Sequence, residues 1–350
     1  MKPLKYLFIS SMLFAATSCG NSWLDLEPST SVDTETSIKI LSDVEFTLNG
    51  IYSTMQSSDA YSGRLVYYGD VTGDDMQAVS STKRVANYYR FNFTKDDNPS
   101  SHWSYLYSII QNCNLILMNI DKLVIDEDDK AYRDDLKGEA LAIRGLALFD
   151  LTRIFGYPYL KDDGASLGVP IIEGLSTIDS KPTRNTVAQC YTKIIDDLTQ
   201  SLSLLGEKFN KGKINKWGAM VLLSRVYLYK GENANALKMA SDAIIGAEKN
   251  KYALWTNEDY PTAWGEDASA SKPGEVLFEI VNLTTDSPGK ESMGYLNSYD
   301  GYDDMCITCS FYQFLKEDPK DIRLKLLSFD KKYYAYVNKY QPQREENIED

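Results

Sequence analysis

Residues 216–249 read KWGAMVLLSRVYLYKGENANALKMASDAIIGAEK, and this stretch decides how the rest of the chain is read. Leu223, Ser224 and Tyr227 fall on one face of a first helix. Ala236, Ala240 and Ala243 recur at spacings of four and three, the face of a second helix. Gly231-Glu232-Asn233 interrupts the period and supplies the turn. A large, a small and an aromatic residue facing a row of alanines is a pattern for two helices in close contact, because methyl side chains let the backbones approach.

The spacing matches one tetratricopeptide unit. Working outward, further helical periods run over 38–55, with Ser37 or Ser42 as candidate caps, and over 103–123, 130–155 and 186–205. Gly156-Tyr157-Pro158 ends the third of these, and 164–182 reads as a loop. The earlier helix pairs are longer and looser than the tetratricopeptide pattern. Residues 57–99 are rich in Gly, Ser, Asp and Tyr and show no sustained helical period. A loop that long in a compact domain is commonly functional, and its aromatics argue against disorder. Residues 287–304 form a second Gly/Tyr/Asp loop. Val276-Leu277-Phe278-Glu279-Ile280 is predicted as a short strand, and 310–315 as a helix. The expected fold class is mostly all-α: a TPR-like helical-hairpin scaffold with long irregular loops and a few short strands.

The N-terminus carries its own signal. Lys2 and Lys5 precede an apolar run over 6–16, too short for a stop-transfer span. Ala15-Ala16-Thr17-Ser18-Cys19 follows. Small residues directly before a cysteine suggest a bacterial lipoprotein with Cys19 lipidated, held stably by several acyl chains. The residue three before the cysteine is Ala16 where leucine is usual, and the alternative is an ordinary secretory signal with a chance cysteine. The expected organisation is a signal over 1–18, a lipidated tether over 19–36, a helical region over 37–250 and a C-terminal region over 251–350.

A net charge of -13 argues against nucleic-acid binding, since phosphate contacts need a basic stripe. Of five cysteines, Cys113 and Cys190 read as buried small hydrophobes. Cys306 and Cys309 form a C-x-x-C without the βαβ context of a redox motif or a second pair for zinc, leaving incidental cysteines or a local disulfide. His102, the sole histidine, reads as a helix-start or surface residue, and histidine-based catalytic and zinc sites drop out. No metal or other cofactor is expected. Asp300, Asp303 and Asp304 do not fit a calcium loop and read as a solvated acidic stretch. The aromatic balance of 25 Tyr and 5 Trp against 12 Phe favours surfaces that grip a partly polar ligand.

Several motifs resemble, in order and spacing, the SusD/RagB family of nutrient-uptake outer-membrane lipoproteins of Bacteroidetes. They are Cys19 with Trp23-Leu24-Asp25-Leu26-Glu27-Pro28, Leu48-Asn49-Gly50-Ile51-Tyr52, and Trp103-Ser104-Tyr105-Leu106-Tyr107 with Asn112-Cys113-Asn114. Gly138-Glu139-Ala140-Leu141-Ala142-Ile143-Arg144-Gly145, Phe155-Gly156-Tyr157-Pro158, Asn215-Lys216-Trp217 and Asp321-Ile322-Arg323 complete the set. The resemblance implies a cell-surface protein, lipid-anchored on the outer membrane. It would capture oligosaccharide or polysaccharide, sometimes peptide, and deliver it to a SusC-type TonB-dependent transporter without acting as an enzyme. Family members continue into further helices, so 251–350 is expected to be a truncated C-terminal region. Gly20, Asn21 and Ser22 lack the acidic run linked with surface export, which leaves the leaflet open.

Sugars present C–H faces to aromatic rings and hydroxyls to polar forks. The candidate platforms of the first loop are Tyr67, Tyr68, Tyr88 and Tyr89, with Asp74, Asp75 and Arg84 as hydrogen-bonders. The second region offers Trp264, Tyr295, Asn297, Tyr299 and Tyr302. Trp103, Trp217, Glu139 and Arg144 read as structural, with Glu139 and Arg144 as a possible pair. Two other readings stay open: a scaffold binding only peptide or protein, and a glycoside hydrolase using Asp74/Asp75, Glu258/Asp259 or Glu266/Asp267. The hydrolase is the poorer of these, because acids adjacent in sequence do not make a separated pair across a cleft.

Overall fold

The computed structural model describes residues 37–94, 100–177, 179–210, 212–265, 274–283, 286 and 288–340. Backbone contacts divide the chain into Met1–Lys39 and Ile40–Asp350, and the fold below is that of the second unit. The signal, the tether and Cys19 lie outside the described residues.

Six longer helices form the scaffold: α1 (Leu41–Gln56), α4 (Ser100–Asn119), α5 (Lys130–Phe155), α6 (Val187–Leu204), α7 (Lys216–Lys230) and α8 (Asn233–Lys249). Between α1 and α4 lie α2 (Arg64–Val71), strand β1 (Met76–Ala78) and α3 (Ala86–Tyr89). After α8 come α9 (Met293–Asn297), β2 (Met305–Ile307), α10 (Cys309–Lys316), β3 (Leu327–Phe329) and β4 (Ala335–Val337). From α4 onward the scaffold helices pack each against its neighbour in sequence, and α1 packs on α4. The mostly helical fold is therefore the one expected. None of the described helices is long and apolar enough to cross a membrane.

Helix α5 is buried on every side over residues 138–152, as a helix surrounded by others must be. Its polar residues are accordingly paired. Arg144 donates to Asp197 through Nε (2.8 Å) and Nη2 (2.7 Å) and to the Asn114 Oδ1 through Nη1 (2.8 Å). Glu139 accepts from the Tyr52 hydroxyl at 2.6 Å. Expected partners of one another, Glu139 and Arg144 instead reach different helices, because residues five apart on a helix do not share a face.

The hairpin of α7 and α8 forms with its turn at Gly231, whose φ of 84° is a left-handed conformation natural to glycine. The Ser224 hydroxyl donates to the Ala236 carbonyl at 2.8 Å, which ties the small-residue faces together. Deeper in the hairpin, Gly246 lies against the Trp217 ring so closely that an added Cβ would sit 2.1 Å from it. Gly246→Ala should therefore force the indole out of its seat and cost about 1–3 kcal/mol. A urea midpoint unchanged by that substitution would show that the ring moves freely.

Several expectations change. Residues 57–99 are not wholly irregular: α2, β1 and α3 lie there, and Tyr67 and Val71, four apart, are the buried face of α2. That signal is one pair in an eight-residue helix, too short to stand out as a period. Neither Ser37 nor Ser42 caps α1; Ile40 is its N-cap residue, and the Asp43 carboxylate accepts the Ile40 N–H at 3.0 Å. Residues 276–280 form no strand. Leu277 packs instead on the Trp217 cluster and Phe278 approaches Tyr52 at 6.3 Å between ring centroids, so side-chain burial on helices decides the segment. The strands that do form are two antiparallel pairs, β1 with β2 (Gln77 opposite Cys306) and β3 with β4 (Ser328 opposite Tyr336).

His102 is 1% exposed and not at the surface. Its Nδ1 lies 3.0 Å from the Asp59 carbonyl, and burial lowers its pKa. Cys306 and Cys309 are both free thiols, the first buried and the second exposed, so the local-disulfide alternative is not formed. Asp300 is exposed as expected, but Asp304 is 2% exposed and Asp303 accepts from the Tyr336 hydroxyl at 2.6 Å, so these two are not the solvated acids expected.

Candidate functional site

The pairing of β1 with β2 joins the two loop regions singled out in the sequence. Thr308 extends that pairing, its N–H donating to the Asp75 carbonyl at 2.9 Å and its hydroxyl to the Asp74 carbonyl at 2.8 Å. Tyr67, Val71, Met76, Val85, Leu296, Met305, Ile307 and Ala335 form a common core beneath. Tyr67 is 1% exposed and offers no face to a ligand, because it lies on the side of α2 that meets this core. The neighbouring Tyr68 is half-buried and meets Tyr88, which packs against the same core. Asp74 and Asp75 are exposed.

Three aromatic groups rest on the described surface. In the first, Tyr68 meets Tyr88 edge-to-face at 5.4 Å and His102 at 5.9 Å, and Phe93 leans on Tyr88 at 6.0 Å. Phe91 and Phe93 are exposed beside them, as is Tyr89. Phe91 has φ 54°, a left-handed conformation uncommon away from glycine. This group is almost wholly apolar, and burial raises the Tyr68 phenol pKa.

In the second group the Arg84 guanidinium lies 4.0 Å from the Tyr302 ring centroid, and Tyr302 meets Tyr295 edge-to-face at 5.2 Å. Arg84 also pairs with Asp304 at 3.1 Å and with Glu291 at 3.3 Å, and Glu291 pairs with Arg64 at 3.0 Å. Arg84 therefore clamps the two loops together through its Nε and Nη1. Asn297 is buried, with an Oδ1 that meets no donor among the described residues. Tyr299 is exposed and tilts against Tyr336 at 5.7 Å.

The third group, like the first with His102 Nε2 and the second with Asn297 Oδ1, holds a buried polar atom without a partner among the described residues, here a donor. Trp255, Tyr260 and Trp264 come together because residues 256–264 wind through turns. The Thr256 hydroxyl donates to the Asp259 carboxylate at 2.8 Å, and the Tyr260 and Ala263 N–H groups bond four residues back. Trp264 meets Trp255 at 4.9 Å, Tyr260 at 5.6 Å and Tyr340 at 6.2 Å, all edge-to-face. The end of β4 delivers Lys339 and Tyr340 to the same place. The Lys339 ammonium lies 3.5 Å from the Trp264 ring centroid and is lowered in pKa by burial. Among the described residues it makes no ion pair, and the Trp264 Nε1–H is buried without an acceptor. Glu275 accepts the Trp255 backbone N–H at 3.2 Å. Asp70 is raised in pKa, chiefly by burial and then by the Asp75 charge.

Sequence reasoning named Trp264 but not Trp255, Tyr260, Lys339 or Tyr340 as its companions. The cluster of aromatics around 255–264 was a visible signal; the arrival of Lys339 and Tyr340 depends on the β3–β4 hairpin and had none. Of the carboxylates weighed for hydrolysis, Asp74, Asp75 and Glu258 are exposed, Asp259 accepts from the Thr256 hydroxyl, and Glu266 and Asp267 lie outside the described residues. Among the described residues no group of three or more His, Cys, Asp or Glu side chains is placed to hold a metal ion.

Several known proteins are similar to this chain. A family model described as "Starch-binding associating with outer membrane", SusD-like, matches residues 22–228. The SusD-like protein P2 of Formosa agariphila is 28% identical over 311 residues, covering 86% of this chain and 57% of its own length. The crystal structure of a candidate sugar-binding protein from Bacteroides vulgatus is 82% identical, with a TM-score of 0.86 over 89% of this chain and 69% of that one. A SusD superfamily protein from the same species is 36% identical, with a TM-score of 0.82 over 88% of this chain and 70% of that one. The chain thus spans less than two thirds of the length of the curated relative it matches.

Proposed function

This chain belongs to the SusD-like family, and we propose that it is a cell-surface glycan-binding lipoprotein. In this reading it captures oligosaccharide on its aromatic loops and hands it to a SusC-type TonB-dependent transporter. Lipid on Cys19 holds it to the outer membrane. The family description supports a carbohydrate ligand and an outer-membrane setting. The observation that carries the reading is the third aromatic group, where Trp264 and Lys339 hold donors without acceptors among the described residues. Buried polar groups in folded proteins nearly always have partners. A donor left open beside aromatic faces fits a sugar, which packs C–H groups on rings and turns hydroxyls to the donors. Tyr68, Tyr88, Tyr89, Phe91 and Phe93 offer a second, more apolar face that suits a neighbouring sugar unit.

The test is affinity electrophoresis of the full chain through gels containing a broad panel of polysaccharides. One glycan should retard the chain without being broken down. Trp264→Ala, with helical circular dichroism retained, should weaken that retention about thirtyfold, the effect of removing a residue that dominates a binding surface. Sugar release from the gel would sink the non-enzymatic reading. Retention unchanged in Trp264→Ala would move the site elsewhere.

A further inference from the structure

The third aromatic group carries more than a sugar platform, because its two open donors are of a particular kind. The Lys339 ammonium is cationic and held over an indole, and the indole it covers is the one whose N–H has no acceptor among the described residues. A cation–π contact compensates part of the ammonium's lost hydration, yet supplies no hydrogen-bond acceptor. A lysine has three donor hydrogens. Asp70 and Glu275 act on Lys339 electrostatically without pairing with it, and Glu275 is already engaged with the Trp255 N–H. The site therefore presents an ammonium and a neutral N–H donor on one aromatic ring, with no anion of the protein directly paired to either among the described residues, while Asp70 and Glu275 offset part of the ammonium's charge from a distance.

The ligand group that completes such a site is a carboxylate. It accepts hydrogen bonds on two oxygens and neutralises the ammonium, whereas a sugar hydroxyl accepts on one oxygen and carries no charge. Resting on the proposed glycan capture, we infer that this site selects acidic glycans, with the carboxylate of a uronic acid bound by Lys339 and the Trp264 indole N–H while the sugar ring packs among Trp264, Tyr260 and Tyr340. The rest of the molecule works against such a ligand at long range, since the net charge is -13 and like charges repel over about a Debye length. Retention of a polyanion by this chain would therefore not come from a generally basic surface, and must come from a local site.

The experiment uses the full chain in native gels at about 0.15 M salt, where screening removes most of the long-range repulsion. The gels contain alginate, polygalacturonate or hyaluronan, each beside its methyl-esterified or carboxyl-reduced form, together with neutral glucans. The expected result is retention by at least one acidic glycan and about tenfold or more weaker retention by its neutralised form, in line with a charge-assisted hydrogen bond. Lys339→Met, which keeps the stem over the ring, should abolish most of that difference. Trp264→Phe, which keeps a ring and removes the N–H, should reduce it in part. Equal retention of the charged and neutralised forms, or retention by neutral glucans alone, overturns the acidic selection and leaves glycan capture standing. Retention by no glycan at all, with the circular dichroism of the wild-type fold, overturns both.

Discussion

Arg144→Ala should lose about 3–5 kcal/mol of stability, enough to leave a domain of ordinary stability partly unfolded. Arg144 is 7% exposed and its partner Asp197 is 0% exposed. Two parallel bonds hold the carboxylate, and a third reaches Asn114. Asn114, itself fully buried, turns its amide to the carbonyls of Ile172 and Gly174 at 2.8 and 3.0 Å. One guanidinium thus joins α4, α5 and α6 and, through Asn114, anchors the loop that follows α5. Removing it leaves Asp197 with Lys193 at 3.2 Å as its remaining ion-pair partner, a single contact that offsets only part of the buried carboxylate's desolvation. The source of the loss is that under-compensated charge, so Arg144→Met combined with Asp197→Leu should recover most of it, because apolar side chains of similar volume replace a buried ion pair at little net cost. Urea denaturation of the wild type and the two variants decides the matter. A single-variant loss under 1 kcal/mol, or a double variant no better than Arg144→Ala, would show that the network contributes little.

Most of the scaffold was legible in the sequence because its information is local. Helix α5 has the bounds read from its composition, and α7 and α8 break where Gly231 said they should, since a left-handed residue can be recognised without knowing what surrounds it. The failures share a physical cause. Burial of Tyr67 and exposure beside Tyr68 are set by which side of an eight-residue helix meets the β1–β2 core, and no local period reports it. The pairing of Glu139 with Arg144 ignored the rotation between positions five apart. Arg84 carries the charge and planarity of a sugar-binding arginine, and only its distances to Asp304, Glu291 and Tyr302 reveal that it also holds two loops together. At the candidate site, Trp264 was visible as an aromatic in an irregular stretch. Lys339 and Tyr340 were not, because a hairpin far downstream brings them there.

Glu139→Gln should make the protein more stable at pH 8 by about 1–3 kcal/mol while changing little near pH 5. Glu139 is 3% exposed, and burial raises its carboxyl pKa to about 7. The Tyr52 hydroxyl and the more distant Lys213 charge oppose that rise, and Asp135 and Glu45 add to it. In the unfolded chain the same group titrates near an ordinary glutamate value. Between those two values the folded protein holds a proton that the unfolded chain has released, so stability from this residue falls as pH rises through that window. A difference of this size amounts to about 3 kcal/mol, all of it lost once the pH exceeds the folded value. Glutamine has no charge to desolvate and keeps an oxygen for the Tyr52 hydroxyl, which also accepts the Ile214 N–H at 3.1 Å. Its second amide hydrogen has no counterpart in a carboxylic acid and must be accommodated in a buried site, which is why the gain falls short of the full linkage value. The measurement is the urea midpoint of both proteins from pH 5 to 8. The wild type should lose stability relative to the variant across that range, with the steepest change below pH 7. Parallel curves would mean that Glu139 is ionised in the fold, its charge already compensated at the joint where Tyr52 of α1, Glu139 of α5 and the approach to α7 meet.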